Sequence, residues 1–122
     1  MGLVLIVDDD ERNAKLVRDV LERSGLQVVC AGTAAEGLAA ARVHRPGVVL
    51  MDLNLPDLDG AETTRRLLAD DRTAGTAVIL VSAVAVDDPA WVEAAGFAGF
   101  VQKPIDVRSL PELVRRHLRA GG

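Results

Sequence analysis

The chain has 122 residues, of which 49% are hydrophobic and 26% charged, with a formal net charge of −4. This length suits one domain, residues 1–122, with an ordered core over about 3–119, and the composition excludes disorder. Aromatic residues at 2% and an acidic balance exclude a base-stacking surface or a broad nucleic-acid footprint.

Short aliphatic runs alternate with longer stretches of helical period. Leu3–Val7 reads as a first strand and runs directly into Asp8, Asp9 and Asp10. It is too short for a signal peptide or a membrane span, so no membrane association and a cytoplasmic location are expected. Asn13–Ser24 places Leu16, Val17, Val20 and Leu21 on one helical stripe, with Gly25 as its stop. Gln27–Ala31 is the second strand. It contains the single cysteine, Cys30, which is expected to be a small buried hydrophobe and excludes an internal disulfide or a multi-thiolate metal site. The alanine-rich helix Ala34–His44 ends before Pro46. The third strand, Val48–Met51, stops at Asp52, and Ala61–Asp70 follows the turn from Pro56 to Gly60. The fourth strand, Ala77–Val81, stops at Ser82. A short helix, Ala90–Ala95, precedes the fifth strand, Gly99–Gln102, and Lys103-Pro104 comes next. The last helix ends near Arg119, with Leu110, Leu113, Val114 and Leu118 inward and Pro111 fitting only its first turn. The first, third and fourth runs are almost uniformly aliphatic, as strands covered on both faces are. Five βα units of this kind make a doubly wound α/β fold around a five-stranded parallel sheet.

In such sheets the working crevice lies outside the carboxyl ends of the strands. Asp8, Asp9, Asp52, Ser82 and Lys103 all arrive there. Clustered carboxylates resist ionising together unless a cation joins them. An all-oxygen donor set suits a hard divalent ion, with Mg²⁺ the default. His44 and His117 have no ligand spacing, so nothing favours zinc. Lys103 adds a point charge and Ser82 a donor, which meets the demands of phosphoryl transfer. Asp52, ending a buried run, is the candidate nucleophile. A capping role for Asp8–Asp10 and a turn role for Ser82 remain open at this stage.

At these residues the sequence resembles the response-regulator receiver family of two-component signalling. The likeness spans essentially the whole chain, through Leu5-Ile6-Val7-Asp8-Asp9-Asp10, Met51 to Gly60, Val81-Ser82-Ala83 and Lys103-Pro104. It implies a flavodoxin-like sheet with strand order 2-1-3-4-5. It implies that Asp52 is phosphorylated by a histidine kinase or a histidine phosphotransfer protein. The Mg²⁺ ligand set would be Asp8, Asp9, Asp52 and Asn54, with Asp9 binding directly, Asp8 largely through metal-bound water, and Asn54 through its backbone carbonyl. Ser82 and Lys103 would hold phosphoryl oxygens, beside the small Ala83. The bond before Pro104 would be cis, and Gly60 would take a positive φ. Phe100 would be the switch aromatic that moves with Ser82, here without the hydroxyl of the commoner Tyr.

The segment from Ser82 to Lys103 is tight, so the fourth helix is expected to be short. Motion on activation is expected over Val84–Pro89, and Val84 would flank the site beside Asn54. The stretch Asp10 to Val17 further resembles stand-alone cell-cycle and phosphorelay regulators, which would place Asn13 and Lys15 near the donor's helices. The likeness implies output by docking of a downstream protein on the face of the fourth helix, fifth strand and fifth helix. Trp91, if exposed, would be an anchor there, and the Arg108, Arg115, Arg116 and Arg119 set reads as a solvated helix face. A homodimer dependent on phosphorylation is also compatible. The chain would then be a switch, not an enzyme. A small Mg²⁺-dependent phosphatase with an aspartate nucleophile and a receiver acting without phosphate are the competing readings.

Overall fold

A computed structural model of the chain describes residues 2–83 and 89–121. Most of the loop expected to move, 84–88 with Val84, lies outside the described residues. The elements run β1 Leu3–Val7, α1 Glu11–Arg23, β2 Gln27–Ala31, α2 Ala34–His44, β3 Val48–Asp52, α3 Gly60–Ala69, β4 Ala77–Ser82, α4 Pro89–Ala94, β5 Gly99–Gln102 and α5 Leu110–Gly121. The strands form one parallel sheet in the order β2-β1-β3-β4-β5.

Period-two alternation splits the aliphatic strands between two cores. Val4, Ile6, Val48, Leu50, Ile79 and Val81 pack with Val17 and Leu21 of α1 and Leu110 and Val114 of α5. Leu5, Val7, Val49, Met51, Val78 and Leu80 face the other way, onto Leu38, Leu67, Val92 and Phe97. The three central strands are therefore covered on both faces. Register then sets their carboxyl ends nearly level, with Val7 beside Met51, Asp52 beside Val81 and Ser82 beside Gln102. β3 and β4 each extend one residue past their apolar runs, so Asp52 and Ser82 are held inside the sheet.

Three expectations are corrected. Leu16 does not join the apolar stripe of α1 and is 50% exposed; the buried positions are Ala14, Val17 and Leu21. These are spaced three and four apart, and Leu16 sits one residue, about 100°, off that line. Cys30 is exposed, not buried, because β2 is an edge strand and a cleft of about 530 Å³ opens between it and α1, lined by Ala14, Arg18 and Cys30 among others. The cleft walls still desolvate the thiol enough to push it above its ordinary value, with Arg18 pulling the other way; such a thiol is a weak nucleophile at neutral pH. α1 begins at Glu11, two residues early, because the Asp10 carboxylate caps it by accepting from the Arg12 and Asn13 amides. Its far end is as expected: Gly25, at φ 88°, turns the chain while its amide donates to the Glu22 carbonyl. α4 is short, with six residues.

Candidate functional site

Asp52, the last residue of β3, is 7% exposed. Its Oδ1 accepts the Asn54 amide at 3.2 Å, and its Oδ2 lies 3.5 Å from Lys103 Nζ. Burial pushes the Asp52 carboxyl above its ordinary value; the Asn54 amide and the Lys103 ammonium oppose this, and the Asp8 carboxylate adds to it.

Asp8 follows β1 and is 6% exposed. Its Oδ1 accepts the Asp10 amide at 2.9 Å, and its Oδ2 accepts the Asn13 side-chain amide at 2.6 Å and lies 3.7 Å from Lys103 Nζ. Both oxygens thus have protein partners. Asp9 is exposed beside it. One oxygen each from Asp8, Asp9 and Asp52 falls within 4.8 Å of the others. These donors are all hard oxygens, without imidazole or thiolate, which fits Mg²⁺ and disfavours softer ions.

Lys103 is positioned through its own backbone: its amide donates to the Ser82 carbonyl at 2.8 Å, and the Lys103–Pro104 bond is cis. Ser82 is buried at the end of β4. The fold therefore brings Asp8, Asp9, Asp52, Ser82 and Lys103 to one edge, from the ends of four strands.

Gly60 departs from expectation in its reason. It is not among the glycines at positive φ. Instead a Cβ there would lie 2.3 Å from the Asp52 carbonyl oxygen and 3.1 Å from its carbon. The residue is glycine because α3 starts against the backbone of Asp52, with the Gly60 amide donating to the Leu53 carbonyl at 2.8 Å. Asp59 caps the same helix by accepting the Glu62 amide at 2.8 Å.

Other candidates separate. Lys15 points to solvent and pairs with Asp19 at 3.2 Å. Asn13 is the residue whose role in the fold the sequence reading missed, since its amide serves Asp8; the signal was its place one helical turn after the caps, five residues from Asp8. Asp57 was also missed, because its partners, the Ala34 and Ala35 amides, are more than twenty residues away. Phe100 on β5 is 37% exposed and Trp91 on α4 is 41% exposed. Of the arginines, Arg115 donates to the Ser24 carbonyl and ties α5 to the end of α1, whereas Arg119 pairs with Glu112 at 2.9 Å. No helix among the described residues is long and apolar enough to cross a membrane.

Comparison with known proteins agrees with this geometry. The polar-differentiation response regulator DivK of Brucella anthropi is 38% identical over 116 residues, which cover 94% of each chain. A receiver domain protein of the CheY-like kind from Methanospirillum hungatei superposes with a TM-score of 0.90 at 30% identity, covering 99% of this chain and 96% of that one. The chemotaxis protein CheY4 of Vibrio cholerae gives 0.88 at 26% identity, over 95% of this chain and 98% of its own. The family described as the response regulator receiver domain matches residues 4–115. With this fold and this sheet edge, the chain belongs to the response-regulator receiver family and to two-component signalling.

Proposed function

We propose that Asp52 is the phosphoryl acceptor of this receiver, charged by a histidine kinase or a histidine phosphotransfer protein. One observation carries the reading: Asp52 is a buried carboxylate facing an ammonium at 3.5 Å, with two further acids beside it. Its oxygen attacks phosphorus as the phosphorus–nitrogen bond of the donor breaks. The electron pair leaves with the imidazole, which then takes a proton from solvent. Asp9 and Asp52 would hold Mg²⁺ with their carboxylates, Asp8 largely through water and Asn54 through its carbonyl; bound there, the ion would neutralise charge on the phosphoryl oxygens. Lys103 pairs with one phosphoryl oxygen, and the Ser82 hydroxyl donates to another.

Drawing Ser82 toward the new charge biases the packing of Phe100. A downstream protein then docks on the face of α4, β5 and α5, where Trp91 and Phe100 supply exposed aromatic surface. The receiver, residues 1–122, acts as a switch and turns over no external substrate, because the attacking carboxylate is itself the product.

Intact mass after incubation with acetyl phosphate tests this. Wild type is expected to gain one phosphoryl group with Mg²⁺ and none without it, and Asp52→Asn none at all. A protein that instead hydrolyses phosphomonoesters with turnover would be a phosphatase. One that gains nothing from acetyl phosphate or from a phosphorylated histidine donor would act without phosphate.

A further inference from the structure

The loop between β3 and α3 is fixed at its base. The Asn54 amide donates to Asp52, Asn54 bridges to Asp59 in antiparallel fashion, and the Gly60 amide donates to the Leu53 carbonyl. Its tip turns the other way. The Asp57 carboxylate reaches the first turn of α2, taking the Ala34 amide on Oδ1 at 2.8 Å and the Ala35 amide on Oδ2 at 3.0 Å. α2 already has a cap, since Thr33 Oγ1 accepts the Glu36 amide at 3.1 Å, so Asp57 takes two donors that this cap leaves.

The helix it grips packs closely against β1. Ala34 and Ala41 are fully buried, and a Cβ on Gly37 would lie 2.8 Å from Val7 Cγ2. Val7 is the residue before Asp8. The loop that carries Asn54 is therefore fastened to the same body that carries Asp8.

We propose that Asp57 is a positioning residue for the metal site: its two bonds to the start of α2 hold the Asn54 segment in register with Asp8 and Asp9. This rests on the reading of Asn54 as a carbonyl ligand. By linkage, an ion held by that segment also tightens the contact with α2.

Calorimetric titration of MgCl₂ into the intact, unphosphorylated chain tests this, with wild type, Asp57→Ala and Thr33→Ala compared. Loss of an outer-shell support typically costs about 10–100-fold in metal affinity, and the low end, about tenfold, is expected for Asp57→Ala. The loss is expected to persist at about 0.5 M KCl, where the through-space effect of one missing charge is screened. Thr33→Ala removes the helix's own cap and lowers the melting temperature, yet is expected to keep the Mg²⁺ affinity of wild type. In wild type, Mg²⁺ is further expected to slow hydrogen exchange at the Ala34 and Ala35 amides. Asp57→Ala that lowers the melting temperature but binds Mg²⁺ as wild type does would overturn the proposal, as would equal weakening by Thr33→Ala. A wild type that binds no Mg²⁺ would overturn the metal reading itself, and this proposal with it.

Discussion

Asp52 is buried under the end of β3 with Asp8 beside it, and the Asn54 amide and Lys103 oppose the cost of that burial. Its folded-state carboxyl lies above the ordinary value of 3.8, so the folded protein binds the proton more tightly than the unfolded chain. Stability then falls as pH rises through the window that starts at 3.8 and ends at the raised value. Above that window the cost is present in full, and below 3.8 it is gone. Asp52→Asn is therefore expected to melt higher than wild type at neutral pH in metal-free buffer. Melting curves across pH check this, and the two proteins should converge as the medium becomes acidic. On the proposed reading, Asp52 gives up stability for function, a trade-off common at working sites.

At the scale of elements, α3 carries two adjacent threonines, both fully buried, with opposite prospects. Thr63 Oγ1 donates to the Asp59 carbonyl at 2.8 Å. Thr64 Oγ1 has no hydrogen-bond partner among the described residues. An unsatisfied buried hydroxyl costs about 1–3 kcal/mol, and a made hydrogen bond contributes about 1 kcal/mol. Thr64→Val keeps the shape and is expected to stabilise the protein by about 1 kcal/mol, with Thr63→Val destabilising by a similar amount, both read from urea unfolding. Neither prospect can be read in the sequence, where the two residues look alike.

The strands could be read because a parallel strand buried on both faces is a uniform aliphatic run, and Val48 to Met51 is one. The acids could be read because a carboxylate ending such a run has few structural excuses. What escaped depends on neighbours set by the fold. Cys30 looks buried until β2 proves to be an edge strand. Leu16 looks like a core residue until Ala14 takes the inward position. Gly60 looks like a turn glycine until α3 closes on the Asp52 carbonyl. Asp57 finds its main partners, the Ala34 and Ala35 amides, more than twenty residues away.

The whole molecule is two aliphatic layers divided by one sheet, and its stability sits in the central strands. Leu80 on β4 is fully buried, so Leu80→Ala is expected to cost about 2–5 kcal/mol. Leu16→Ala, at a position half exposed to solvent, is expected to change stability by no more than about 0.5 kcal/mol. Urea midpoints at unchanged slope separate the two cases.

The parallel order also spreads the candidate site along the chain: Asp8 arrives first, Asp52 midway and Lys103 near the end. During synthesis, Asp52 leaves the ribosome about fifty residues ahead of Lys103. β5, which leads into Lys103, can join the sheet only by pairing with β4. On the proposed reading, the ammonium that would hold a phosphoryl oxygen reaches Asp52 only once the last strand is in place.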